Sequence, residues 1–452
     1  MKWRVNFSAG LCVSSLAEKI GWVSDALAVS SLLLEVLSVK WPARSLLDCQ
    51  AFFSGSLIAL RICIKMAVKR RSTKNPPIFS HEFVIQNHAD IVACVAMVFV
   101  VGLMFQVSSP LASLFIALHH NVTVPVDNGS GGVSDVTYYA AGIKDFPAIF
   151  FYLLIAIVMH QIIQEYLLDR VNRKLHLSKI KHTKFNESGQ LLSFYIVSLL
   201  WAGDIIMREN LFSIRQLWEG YPHNQMTFMF KFFYIVQIAY WLHVYPELYF
   251  QKVKKEDMPA RISYASLYLV FIGAAYMFSY TRVALCLLVL QYFTEAVFHA
   301  SRLLSYADKG EVARPIYRLH DMLFVLTRLG SIILGVVTFW HGLAKSPAEE
   351  QVINWHSGTF NTFVFRITAL VSICVLQAWL MMNFITFQLK KRREDAANNT
   401  VSLPSGKSKK TQQEKAKARK EKPKKDTNKD YEDENELPEV DQDTKQSLRQ
   451  RK

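Results

Sequence analysis

A small set of polar residues interrupts otherwise apolar stretches of this chain, and their types could support chemistry. His160 and Gln161 lie late in one such stretch, His243 late in another, and Glu295 and His299 late in a third. Glu295 and His299 are four residues apart, so on a helix they share a face. A carboxylate beside an imidazole can move protons, and the same groups can line a cavity or hydrogen-bond between helices. Three readings therefore stand together: interhelical hydrogen bonding, a polar cavity that receives a lipid or a passing helix, and an acid–base centre. Asp204 and Lys231 sit near facing ends of consecutive apolar stretches and are expected to pair structurally, or Lys231 to snorkel outward. Arg366 reads the same way, whereas Arg328 lies deeper and is expected to face a partner inside a bundle. No phosphate-binding loop, nucleophile elbow, zinc motif or cysteine-pair motif occurs. His119-His120 abuts a loop with no nearby carboxylate and is not expected to form a site; no metal or cofactor is expected, and no residue is assigned as catalytic.

The elements that must position these residues follow from apolar length. The chain has 452 residues, 51% of them hydrophobic. Crossing about 30 Å of hydrocarbon takes roughly 20 apolar residues. Blocks of that kind fall at 91–107, 146–163, 191–206, 226–245, 262–280, 283–300, 321–343 and 361–389. The expectation is an all-α integral membrane protein of about eight transmembrane helices. Cys12, Cys49, Cys63, Cys94, Cys286 and Cys374 show no paired spacing and read as small buried thiols.

The net charge of +15 reports topology, not nucleic acid binding. Cationic residues crowd alternate connections: Lys69, Arg70, Arg71 and Lys74; Arg170, Arg173, Lys174, Lys179, Lys181 and Lys184; Lys252, Lys254, Lys255 and Arg261; Arg302, Lys309, Arg314 and Arg318. The other connections hold only Lys144, Arg208, Arg215, Arg282 and Lys345. Positive charge stays on the cytosolic side, so both termini are expected in the cytosol. Lys390-Lys391-Arg392-Arg393 then closes the last span. The glycosylation sequons at Asn121 and Asn128 both fall in a connection on the opposite side. Those at Asn186 and Asn398 fall on the cytosolic side and should stay bare.

Four regions are expected. Residues 1–65 are apolar but broken by Glu18, Lys19, Asp25 and Glu35, and read as an extension preceding an ordinary start at Met66. Residues 66–181 hold a cytosolic start, two spans and the glycosylated loop. Residues 182–390 hold the remaining spans. Residues 391–452 form a disordered, charged cytosolic tail, basic from Lys407 to Lys429 and then acidic. The basic block suits anionic lipid or ribosomal RNA, or serves as a solvated spacer.

From Ser80 to Asp90 (SHEFVIQNHAD), His182 to Gln190 (HTKFNESGQ), Tyr221 to Asn224 (YPHN) and Tyr240 to Lys252 (YWLHVYPELYFQK), the sequence resembles the translocating chain-associated membrane protein family. The likeness continues through Ser372 to Gln377 (SICVLQ) and Asn383 to Lys390 (NFITFQLK), covering about residues 66–395. It implies a multispanning glycoprotein of the endoplasmic reticulum beside the Sec translocation channel. Such proteins contact signal sequences and transmembrane segments of nascent secretory and membrane chains, and affect the bilayer near the channel's lateral gate. It further implies a TLC domain over about 182–390, a glycan at Asn121, and membrane lipids as a further partner, while the ribosome is reached only through the basic tail block. Ceramide synthases share the TLC domain and carry a dihistidine in a membrane helix. This chain has no His-His run in the spans of that region, which argues against acyl transfer and leaves a lipid-binding or lipid-modifying protein as the alternative.

Overall fold

The computed structural model describes residues 80–127, 133–307, 309–347, 351–354 and 358–401. The expected extension at 1–65, the sequon at Asn128 and most of the charged tail lie outside them.

Eleven α-helices and two short hairpins make up the described chain. The helices are α1 (His81–Gln86), α2 (His88–Gly102), α3 (Ser109–Ile116), α4 (Asp145–Ile162), α5 (Asp169–Leu175), α6 (Lys179–Arg208), α7 (Phe228–Phe250), α8 (Met258–Met277), α9 (Thr281–Tyr306), α10 (Gly310–Gly335) and α11 (Phe363–Val401). Strands β1 (Asn121–Asp127) and β2 (Val133–Tyr139) pair antiparallel between α3 and α4, and β3 (Ile353–Asn354) pairs with β4 (Thr359–Phe360) before α11. Helix starts follow local chemistry. Ser80 caps α1 by accepting from the Phe83 N–H at 3.1 Å, and proline opens α3 and α8, where its missing N–H costs nothing.

All eight apolar blocks fall in separate helices: α2, α4, α6, α7, α8, α9, α10 and α11. Only Phe278–Tyr280 separates α8 from α9, with Ser279 at a φ of 59° making the reversal. Among the described residues six helical stretches are long and apolar enough to cross a membrane, with α4 and α10 each running on past a π-helical segment. By the same measure α2 is short, its 15 residues rising about 22 Å. α7 spans 23 residues but carries Lys231, Gln237, His243 and Glu247.

Two ends of the bundle can be distinguished. One holds the β1–β2 hairpin, the 209–227 segment, the α8–α9 turn and the start of α11; the far end holds the α5–α6, α7–α8 and α9–α10 connections. α9 is central, packing along α6 and α10, while α7 packs along α4 and α8. Half of the apolar window of α9 is buried but only 11% of that of α11, so α11 is peripheral. The core is aromatic. Trp241 and Tyr268 stack in parallel at 4.2 Å, and Phe194 and Tyr240 at 3.4 Å. The segment from Ile385 onward forms a unit of its own.

Candidate functional site: polar clusters inside the bundle

An unpaired charge or dipole in hydrocarbon is costly, so each polar side chain inside the spans must find a partner. The structure groups them into four clusters.

The first corrects the expected Asp204–Lys231 pair. Lys231, wholly buried, meets Asp145 Oδ1 at 2.7 Å and donates to the carbonyls of Ala140 at 2.7 Å and His119 at 2.9 Å. Asp145 Oδ2 accepts from the Gly142 N–H and the Tyr276 hydroxyl, each at 2.8 Å. Asp204 instead pairs with Arg208 one turn on, at 2.7 Å on an exposed face. The physical reason is direction: Asp204 faces outward, whereas Asp145 opens α4 beside the start of α7. The backbone of Tyr139 exchanges hydrogen bonds with Met226 at 2.8 and 2.9 Å, clamping the hairpin base to the same place.

The second cluster joins His160 and His243 and adds residues that sequence reasoning passed over: His88, Gln190, Glu247 and Gln251. His243 Nδ1 donates to the Tyr240 carbonyl, leaving Nε2 to accept from His160 Nδ1 at 3.3 Å. His160 Nε2 then accepts from Gln251 Nε2 at 3.1 Å, and Gln251 also donates to Glu247 Oε1 at 3.1 Å. These tautomers follow from the partners. Immediately beyond, Ile163–Leu168 is π-helical, and the His160 carbonyl accepts from the Ile163 N–H at the end of α4. Gln190 Nε2 of α6 donates to it at 2.8 Å. Gln161 borders this cluster, lining a pocket of about 10 Å³ with His88, Asp90 and Glu165, room for one water.

Glu295 and His299 belong to a third cluster. Arg328, buried over the Phe324 ring at 4.8 Å, donates to Gln377 Oε1 at 2.8 Å and to Gln291 Oε1. Gln291 Nε2 in turn donates to Glu295 Oε1 at 2.7 Å. His299 Nε2 stands 4.0 Å from Glu295 Oε2, too far for a hydrogen bond. The residues that one of the three readings placed around a single cavity therefore fall into two clusters. A run of rings, His243, Tyr240, Phe194, Tyr195 and His299, with centroids 3.4 to 5.8 Å apart, fills the space between them.

Between these clusters lies a neutral network at the heart of the bundle. Tyr292 donates to Gln237 Oε1 at 2.8 Å, Gln237 Nε2 to Ser198 Oγ at 2.9 Å, and Trp241 Nε1 to the Tyr292 hydroxyl at 3.1 Å. It joins α6, α7 and α9. Among the described residues no group of His, Cys, Asp or Glu is arranged to hold a metal ion.

At the hairpin end a loop layer closes the bundle. Tyr221 donates to the Phe278 carbonyl at 2.9 Å and accepts from the Phe360 N–H at 3.0 Å, and Tyr280 donates to the Phe360 carbonyl at 2.9 Å. Burial pushes the Tyr221 phenol up to about 12. Burial and the neighbouring Arg282 bring His223 down to about 4. Arg366 bonds the Leu343 carbonyl at 3.2 Å here, tying α11 to the end of α10.

Apolar helices around buried polar clusters define a multi-pass membrane protein, and a TLC domain model matches residues 184–386, from α6 into α11. A mouse protein named translocating chain-associated membrane protein 2 is 46% identical over 326 residues, 72% of this chain and 86% of its own length. The human protein of that name is 45% identical over the same share. The chain belongs to the translocating chain-associated membrane protein family. A sphingosine N-acyltransferase, lac1 of Schizosaccharomyces pombe, is 22% identical over 255 residues, 54% of this chain and 65% of that protein.

Proposed function

We propose that this protein is a non-enzymatic accessory of protein translocation in the endoplasmic reticulum membrane. In this reading it lies beside the Sec channel and contacts signal sequences and transmembrane segments of nascent chains as they enter the bilayer. The observation that carries the reading is 46% identity across 86% of a relative whose name states association with translocating chains.

Eight crossings with cytosolic termini complete the reading. Successive long helices alternate between the two ends. The strongly cationic connections around Arg173, Lys254 and Arg314 lie at the far end, and Asn121 lies at the other. We assign the far end to the cytosol and Asn121 to the lumen, where it carries a glycan. The basic segment after Lys407 meets the ribosome or anionic lipid. A photoreactive signal sequence or transmembrane segment, halted during synthesis on microsomes, should crosslink to this chain. Absence of labelling while the channel itself is labelled removes the reading.

Similarity to an acyltransferase favours a second reading, a TLC protein that binds or modifies lipid. Under it, Glu295→Ala or His299→Ala changes the lipid profile of cells while the protein still accumulates. An unchanged profile eliminates the lipid-modifying form.

A further inference from the structure

We propose that an open pocket at the hairpin end binds the headgroup of a phospholipid that carries both a phosphodiester and an ammonium, as phosphatidylcholine does, in the leaflet at that end. The site stands apart from the polar clusters within the spans and holds whether or not the protein assists translocation.

The pocket measures about 260 Å³ and lies between two segments distant in the chain. Arg215, Trp218 and Glu219 line one side, and Gly342, Lys345 and Ser346 the other. A 3-10 turn at Ile214–Leu217 presents Arg215. Gly342 lets the two segments meet, since a Cβ there would lie 2.3 Å from the Trp218 ring. Arg282, at the start of α9, braces the Arg215 side by donating to the carbonyls of Gln216 at 3.0 Å and Glu219 at 3.4 Å.

Depth points to a lipid. Lys345 is the last residue of Gly310–Lys345, a helical stretch long and apolar enough to cross a membrane. The pocket therefore opens where hydrocarbon gives way to water. The adjoining turns still expose Ile214 and Trp340, and an indole at that level is characteristic of the headgroup interface.

Charge selects the headgroup. The connections of this end hold only Lys144, Arg208, Arg215, Arg282 and Lys345, yet two of these five line one pocket and a third braces it. Arg215, Lys345 and Glu219 are exposed, and none is paired with an opposite charge among the described residues. Lys345 donates to His341 Nε2 at 3.0 Å, which leaves two of its N–H groups free to turn to a ligand. Two cations brought together from separate segments repel, and a phosphate between them removes that repulsion, the guanidinium fitting two phosphate oxygens at once. A headgroup that is anionic throughout would meet the Glu219 carboxylate on the same wall. An ammonium beside the phosphate instead finds Glu219 and the Trp218 ring, a carboxylate and an aromatic face that both attract it.

The test measures lipid binding to the purified, delipidated full chain by native mass spectrometry, using phosphatidylcholine and phosphatidylglycerol of identical acyl chains. Phosphatidylcholine should bind the tighter. Arg215→Gln with Lys345→Gln should weaken it about 10-fold, a modest factor because both contacts face solvent. Ser346→Asp, which sets an anion in the pocket, should weaken it by a separate route. Glu219→Gln should reverse the order of the two lipids. Lys144→Gln removes a cation of the same end outside the pocket and should leave binding unchanged. Glycerophosphocholine, the same headgroup without acyl chains, should not displace the lipid at equal concentration. Phosphatidylcholine binding that survives both pocket variants, or that falls equally with Lys144→Gln, overturns the inference. Tighter binding of phosphatidylglycerol by the parent overturns it in favour of a general anionic-lipid site, and displacement by glycerophosphocholine in favour of a soluble phosphodiester.

Discussion

Replacing Lys231 by Met tests how the hairpin end is held together. The Nζ of Lys231 lies within 2.9 Å of three oxygens, those of Asp145, Ala140 and His119. Methionine keeps most of the volume and removes all three contacts. Asp145, only 3% exposed, is left as a buried carboxylate served by Gly142 and Tyr276 alone. Breaking one side of a buried pair typically costs about 3–5 kcal/mol, more than the separate loss of a neutral hydrogen bond at about 1 kcal/mol. Asp145→Asn should cost less, since its carboxamide oxygen still accepts from Gly142 or Tyr276. The double variant should be less destabilised than the sum of the singles, because the ammonium and the carboxylate then leave together and no charge is stranded. Thermal unfolding of the purified full chain in detergent measures each cost, and Lys231→Met should lower the midpoint by roughly 10 °C. A Lys231→Met midpoint within a degree of the parent, or strictly additive single and double variants, would refute the pairing as the clamp.

Three other outcomes are expected. Because burial and Arg282 hold His223 at about 4, below its ordinary 6.5, the unfolded chain takes up the proton first as pH falls. Stability should therefore drop between about pH 6.5 and pH 4 but not above it, and His223→Gln should flatten that part of a stability–pH curve. Gly342→Ala should destabilise by about 1–3 kcal/mol, because its Cβ would lie 2.3 Å from the Trp218 ring; an unaltered unfolding midpoint would show that the indole yields. Asn121→Gln should remove a glycosidase-sensitive mass increment from protein made in microsomes, and an increment that persists in the variant would place the glycan elsewhere.

The helices were legible because bilayer thickness writes itself into the sequence as apolar length, and every expected block coincides with one helix. The partners of buried charges were not. Asp145 precedes an apolar run and reads as an ordinary first-turn acid, while its partner Lys231 lies three helices further along the chain, and no local pattern links them. The expected Asp204–Lys231 pair came from proximity in sequence and failed because helix rotation decides which faces meet. His160 and His243 do meet, but Glu247 and Gln190, quoted only within a longer likeness, carry no signal of their own; Gln190 serves the His160 backbone carbonyl, which no side-chain pattern marks. That these residues fall into two clusters and not one depends on how Phe194, Tyr195 and Tyr240 stack, which composition does not reveal.

The wide turn at Ile163–Leu168 has a geometric consequence for the surface beyond it. A π segment accommodates an extra residue without breaking the rod, and one residue of α-helix corresponds to about 100° of rotation. Deleting a single position there would restore regular winding and swing Arg170, Arg173 and Lys174 a quarter-turn around the axis. The heading of that cationic rim is thus set by one inserted amino acid.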